Sequence, residues 1–363
     1  MKQFLKFTLA TIVGVVIVSI LGTILMFGIL GAIGASADKP VKTEPGSVYQ
    51  LDLKGQLVDR SQDDPFSSAM AEAFGQPEVN VIGLDDVLSN IEKAKNDSNI
   101  VGIYLKGGVL SGGFASMKEI RDALLDFKST GKFIVAYADT YAQSNYYLAS
   151  VADKILLNPS GMLELKGLSA ELMFFKNTLD KLGIEMQVVR VGTFKSAVEP
   201  FMNTKMSDAN RLQVNTYISS IWNTLVNGIA DSRKIAADQL NAYADEMMLF
   251  QSPEKYKAYN LIDSLVYVDE VDSILKDFRK EYKVIKHKAM NRVPDLKKFQ
   301  KDKVAVIYAI GGIDGNSTEG IISEKLVESI DEAAKAKDVK AVVLRVSSPG
   351  GSAYGSEDRK SVV

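Results

Sequence analysis

Two short stretches carry the residue types that could activate a hydroxyl. The first is "RVGTFKSAVEPF", Arg190–Phe201, where Lys195 stands between a glycine and a run of small residues closed by a proline. The second is "LRVSSPGGSAYGSE", Leu344–Glu357, where Ser352 follows Gly350 and Gly351. A serine behind two glycines looks like a nucleophile on a tight turn. A lysine can serve as general base where desolvation favours its neutral form. Competing chemistries are few. The chain has no cysteine, which excludes a thiol nucleophile, a thiolate zinc site and disulfides. Its one histidine, His287, lies in "VIKHKAMNR" among lysines and is expected to be an exposed surface residue. A Ser-His-Asp mechanism would have to use it, so Ser–Lys is the main remaining way to activate a hydroxyl.

The elements that must position these residues can be read along the chain. The 363 residues are 46% hydrophobic and 24% charged, enough for two globular domains. The net charge of −2 gives no electrostatic support for nucleic-acid binding. Lys2 and Lys6 precede an uncharged run from Phe7 to Ala37. That run exceeds the roughly 20 residues a spanning helix needs and lacks a polar face. "ASA" at Ala35–Ala37 has the form of a cleavage site, but the apolar run is longer than a signal-peptide core of about 7–15 residues. An uncleaved anchor is the reading, with the N-terminus inside and the body outside the cytoplasmic membrane.

After a linker, "VYQLDLKGQLV" (Val48–Val58) reads as a strand and residues 59–79, with Pro65 and Pro77, as a loop. Apolar residues at 84, 87, 88 and 91 have helical spacing. "IVGIYLKGG" is a buried strand running into a glycine turn, "FASMKEIRDALLDFKSTG" a helix, and "KFIVAYAD" another strand. This alternation predicts a parallel sheet with crossover helices. The same order returns later. "VAVIYAIGGI" (Val304–Ile313) echoes the first strand, and "EKLVESIDEAAKAKDVKAVVLRV" matches "DDVLSNIEKAKNDSNIVGIYLKG" without a gap at an offset of 239. Gly112 falls on Gly351, which points to an internal duplication.

The Lys195 stretch resembles the lysine motif of the signal peptide peptidase A family in its long, membrane-anchored, double-domain form. "LRVSSPGGSAYGSE" resembles the glycine turn that opens that family's second domain. The resemblance runs over nearly all of residues 1–357. The glycine turn alone is less specific, since Clp-type protease subunits and crotonase-like enzymes share it. The resemblance implies an α/β fold: an N-terminal transmembrane helix, then tandem Clp/crotonase-like βαβ repeat domains, the first complete and the second truncated, with a helical arm between them. The divisions are an anchor over 1–37, a linker over 38–47, a first peptidase-like domain over 48–205, a mostly helical arm over 206–285, a linker over 286–302 and the start of a second domain over 303–357. Lys195 would be the general base. Gly351 would give a backbone N–H to the oxyanion hole, with Gly350 shaping the turn. Ser352 is then expected to be a turn or helix-cap residue.

In that family the nucleophile lies further on, in an Ala-Ala-Ser-Gly-Gly type segment, which is expected to lie beyond Val363. The closing residues Asp358–Val363 depart from the family's apolar helix and match one reading frame of a sequencing adapter. They are read as a non-native tail, with the natural sequence continuing. In the first repeat Ser144 occupies the nucleophile's place, 51 residues before Lys195, but Asn145 and Tyr146 replace the usual Gly-Gly. Ser144 is read as a relic; the alternative is a residual dyad with Lys195 and with Gly112 as oxyanion donor. The implied function is a serine endopeptidase of the cell envelope that degrades signal-peptide remnants as a homo-oligomer, a bowl-shaped tetramer. It implies no cofactor, metal or nucleic acid. A non-catalytic oligomeric scaffold of the same superfamily is the alternative, and a crotonase-type acyl-CoA enzyme is disfavoured by the external location.

Overall fold

The structure is a computed structural model that describes residues 2–37, 40–61, 80–296, 301–314 and 320–360. Most of the expected loop 59–79, with Pro65 and Pro77, lies outside the described residues. Helix α1 (Lys2–Ala37) has 36 residues and so is about 54 Å long. Its stretch Gln3–Met26 is long and apolar enough to cross a membrane, and none of that stretch is buried in the protein. A helix apolar on every side gains nothing from water, which fits the expected anchor.

The chain then forms β1 (Ser47–Val58), β2 (Val81–Gly83), α2 (Leu84–Asn96), β3 (Ile100–Ser111), α3 (Phe114–Lys128), β4 (Phe133–Tyr141), α4 (Gln143–Ala149) and β5 (Lys154–Leu163). The strands pair in parallel in the order β2-β1-β3-β4-β5. Both sheet faces are covered, which is why these strands read as near-continuous apolar runs. Tyr49, Leu51 and Leu53 of β1 point into the main core, and Val48 into a smaller one on the opposite face. The helical spacing in the sequence corresponds to packing. Helix α2 buries Leu84, Val87, Ile91 and Ala94, and α3 buries Met117, Ile120, Leu124 and Phe127. Each large side chain so buried contributes about 1.5–3 kcal/mol.

Residues 164–207 carry only short helical pieces, α5 (Lys176–Lys181) and α6 (Glu199–Met202). The arm follows as α7 (Asp208–Arg233), α8 (Ala237–Asp245) and α9 (Pro253–Ala258). Arg121 on α3, itself buried, fastens the arm. It donates to the carbonyl of Tyr147 and the hydroxyl of Ser150, and across to the carbonyl of Gly228 and the hydroxyl of Ser232 on α7. Its guanidinium lies 4.5 Å from the Tyr147 ring centroid, and burial pushes its pKa down. A Cβ at Gly228 would come within 2.8 Å of that ring, so only glycine lets α7 sit this close.

The arm is less purely helical than expected. It returns to the sheet as β6 (Ser264–Leu265) beside β5, then as β7 (Lys283–Lys286) beside β1, with α10 (Val271–Phe278) between them covering the smaller core. The expected linker 286–302 also begins inside the fold. The single turn α11 (His287–Met290) and Val293 pack on the main core. The second unit consists of β8 (Lys303–Ile310), α12 (Ser323–Lys335), β9 (Val339–Ser347) and α13 (Ala353–Lys360). Its two strands pair in parallel, and its core is small: Ala309, Ile321, Leu326 and Ile330. Val304, Val306, Val343 and Val346 remain exposed.

Candidate active site

The second glycine turn is fixed by backbone contacts and by the hydroxyls of Ser348 and Ser352. Gly350 and Gly351 have φ of +103° and +156°, values that side-chain-bearing residues rarely adopt. Gly351 bridges to Ile313 in parallel, and a Cβ on it would meet the Ile313 carbonyl oxygen at 2.4 Å. The Ile313 N–H donates to the Gly350 carbonyl, and the Ser352 N–H donates to the Ile313 carbonyl. The Ser352 hydroxyl accepts from the Gly355 N–H, 3.1 Å away, as a helix cap does. Among the described residues the Gly351 N–H has no partner.

The first unit matches this turn in sequence but not in backbone: neither Ser111 nor Gly112 has a positive φ. Gly112 directly follows β3, whereas Gly351 lies beyond the end of β9, and a Cβ on Gly112 would meet Leu57 Cβ at 2.8 Å. The tight bend before each crossover does recur. Gly55 packs on Asn80 at φ +104°, and Gly311 packs on Gly320 at φ +95°. Beside Gly112 lies an open cavity of about 300 Å³ with Ser144 on its rim. The residues standing where the family has Gly-Gly are locked into the core. The side-chain oxygen of Asn145 accepts from the Leu110 N–H (3.2 Å), and its amide donates to the Leu53 carbonyl (3.0 Å). The Tyr146 hydroxyl donates to the Leu261 carbonyl at 2.8 Å, and burial pushes its pKa well up.

Lys195 is exposed at the start of a short turn, Ser196–Val198. The Arg190 guanidinium approaches its carbonyl at 3.4 Å. Its neighbours Val189 and Val191 are 100% and 91% exposed, and Phe194 is exposed too. The segment is held behind Lys195, at Glu199. That carboxylate accepts from the Ser207 N–H and hydroxyl and from the Asn210 amide. Burial pushes the Glu199 pKa up, but these hydrogen bonds outweigh it and the net shift is down. Among the described residues no hydrogen bond or ion pair joins Lys195 to Ser144 or to Gly351, and Lys195 does not line the cavity beside Gly112.

His287 is half-buried rather than on the open surface. Its Nδ1 is 2.7 Å from the hydroxyl of fully buried Tyr49, and its ring stacks on the Tyr49 ring at 6.1 Å. The lysines around it suggested exposure, but the ring turns inward from a one-turn helix. A second feature has no signal in the sequence. Arg345 on β9 donates to Asp59 at 2.9 Å and to both oxygens of Glu119 at 3.0 and 3.1 Å. The Ser347 hydroxyl also donates to Asp59. The strand that leads into the Gly351 turn is thereby tied to the first unit.

Residues 126–282 match peptidase family S49. The chain is 31% identical, over 93% of its length, to Protease 4 of Haemophilus influenzae, covering 58% of that protein. It is 34% identical, over 85% of its length, to Protease 4 of Salmonella typhi, covering 52%. It is 30% identical, over 87% of its length, to the chloroplastic serine protease SPPA of Arabidopsis thaliana, covering 46%. The chain thus spans about half the length of the curated relatives it matches.

Proposed function

We propose that the chain, whose residues 126–282 match peptidase family S49, is a member of that family and a membrane-anchored serine endopeptidase. It uses a Ser–Lys dyad to cut remnant signal peptides in the cell envelope. The observation that carries this reading is the Lys195 motif, inside the residues that match the family, in a chain without cysteine whose one histidine is engaged with Tyr49. In the mechanism, neutral Lys195 takes the proton of a serine that the second domain supplies. The serine oxygen attacks the peptide carbonyl, and the Gly351 N–H receives the developing oxyanion. Collapse expels the amine, which takes its proton from Lys195, and water then releases the acyl-enzyme. Ser144 is a relic in this scheme.

A lysine works as a base where water is excluded. The exposed apolar residues Val189, Val191 and Phe194 favour a covered state of the Lys195 segment, and a homo-oligomer, a tetramer in this proposal, supplies the cover. Helix α1 holds the N-terminus inside and the body outside the membrane. The domain divisions given above belong to the same proposal. In the product of the entire gene, Lys195→Ala is expected to lower kcat/KM on an apolar peptide by about 10²–10⁴-fold. Equal rates would reject the dyad and favour the scaffold reading. Residues 1–363 on their own are expected to hydrolyse little peptide, because no described serine hydrogen-bonds Lys195.

A further inference from the structure

The cavity beside Gly112 takes no part in the proposed chemistry, yet it has the form of a binding site. Its floor is apolar: Leu110, Met117 and Leu225 are almost fully buried, and Phe114 and Leu168 flank them. At about 300 Å³ it exceeds the roughly 150 Å³ that suffices for a benzene-sized guest in an apolar cavity. Two polar groups stand on the rim, the Gly112 N–H and the Ser144 hydroxyl. Among the described residues neither has a hydrogen-bond partner. An apolar floor beneath a few convergent polar groups is the usual make-up of a ligand pocket.

Four elements build it, α4 among them with Gln143 and Ser144. The end of β3 supplies Leu110 and Gly112, α3 supplies Met117, and the arm helix α7 supplies Leu225. The Arg121 clamp between α3 and α7 holds the two helical walls together. Gln143 holds the remaining wall. Its side chain accepts from the Lys166 N–H at 2.9 Å and donates to the Gly167 carbonyl at 3.3 Å, which places Leu168 at the mouth. The walls are therefore tied by hydrogen bonds from buried side chains and do not depend on a bound guest for their shape.

We infer that this cavity is an accessory, non-cleaving pocket for one large apolar side chain of an extended peptide. The Ser144 hydroxyl and the Gly112 N–H donate to a backbone carbonyl of that peptide. The ligand class follows from the lining: the floor takes a hydrocarbon side chain and the rim offers donors to a carbonyl, and a peptide residue supplies both. Cleavage does not follow, because Asn145 and Tyr146 are committed to the core and Lys195 is not among the lining residues. The inference rests on the peptidase reading for its choice of a peptide, and it adds a second place where the peptide is held.

The test uses the full chain and a leucine-rich peptide with a central p-benzoylphenylalanine. Irradiation is expected to cross-link the peptide to residues 110–117 or 221–225. Leu225→Trp, which fills the floor, is expected to weaken peptide binding at least tenfold. Leu168→Trp at the mouth, where exposure tolerates the larger ring, is expected to weaken it comparably and covers the case in which the floor variant fails to fold. Ser144→Ala is expected to weaken binding a few-fold without altering the melt. Cross-links elsewhere, or unchanged affinity in a folded Leu168→Trp, would overturn the inference. Lys195→Ala separates the two readings. A protein that cleaves through Lys195 but leaves the cavity unlabelled sinks this inference alone. Labelling in the cavity with no dependence of cleavage on Lys195 sinks the dyad alone.

Discussion

The two glycine turns of this chain match in sequence and differ in backbone and in surroundings. Gly350 and Gly351 have positive φ and Gly351 presses on the Ile313 backbone, whereas Gly112 has no positive φ and presses on the Leu57 side chain. At the first turn the neighbouring groups are tied: Asn145 joins β1 to β3, Tyr146 is anchored on Leu261, and the arm helix walls an open apolar cavity. At the second, the strands carry exposed valines and the turn is held by Ile313, by the Ser348 and Ser352 hydroxyls and by the Arg345 clamp. The same stretch of sequence forms a tied joint in one repeat and an open edge in the other. The difference teaches that a matching glycine does not by itself fix the turn. The groups packed around it do.

The largest effect that would break this comparison comes from giving both turns a side chain. Gly351→Val meets backbone at 2.4 Å, and in the product of the entire gene it is expected to lower kcat about 10²–10³-fold, as loss of an oxyanion donor does. Gly112→Val meets the Leu57 side chain at 2.8 Å. It is expected to lower the thermal midpoint and to leave most of the peptidase activity. Equal losses of activity in the two variants would show that the repeats are catalytically equivalent.

Next in size is Asn145→Gly, which puts glycine where the resemblance expects one. It removes an acceptor from the Leu110 N–H and a donor from the Leu53 carbonyl, both buried. Each buried group left unpaired costs about 1–3 kcal/mol, and glycine inside a helix adds about 0.5–1 kcal/mol. Urea unfolding is expected to show a loss of that summed order with no gain of hydrolysis. A gain of hydrolysis would make Ser144 a working nucleophile.

Much of the fold was legible because it is local. The spacing of Leu84, Val87 and Ile91, the apolar strand runs and the glycine that ends each one all lie within short windows, and α2, α3, β1 and β3 form where these patterns stand. What could not be read is set by partners far away in sequence. Strands β6 and β7 have two and four residues, too few for a period, and exist because β5 and β1 offer them free edges. His287 finds Tyr49 across 238 residues, and Arg345 finds Asp59 across 286. Of the candidate site, the residue types and the turn were legible. The commitment of Asn145 and Tyr146 to the core was not, because their partners are single backbone groups.

The clamp between the repeats gives a smaller effect. Asp59 is nearly buried, accepts from Arg345 Nε and the Ser347 hydroxyl and ion-pairs with Arg345 Nη2, so the pair is better placed than an open surface bridge. A double-mutant cycle with Asp59→Asn and Arg345→Met is expected to return a coupling of about 0.5–3 kcal/mol. Hydrogen exchange in β9 and the Gly351 turn should quicken in each single variant. Additive effects with unchanged exchange would mean that the turn is held by Ile313 and the Ser348 and Ser352 hydroxyls alone.

The smallest predicted effect concerns the other half of the proposed dyad, the Lys195 segment, which is fixed on one side where the Gly351 turn is fixed on both. Its tie is Glu199, whose ionised carboxylate accepts from Ser207 and Asn210. Its pKa is lower in the folded protein than in the unfolded chain, so folding favours the ionised form. The stabilisation is therefore fully present above the ordinary glutamate value of about 4.3 and is lost as pH falls through the lower, folded value. Thermal melts between pH 6 and pH 3 are expected to show an acid limb that is shallower in Glu199→Gln than in the wild type, with proteolysis of residues 190–207 rising first in the variant. Parallel acid limbs would mean that Glu199 does not hold the segment, and that Lys195 is placed by whatever covers Val189 and Val191.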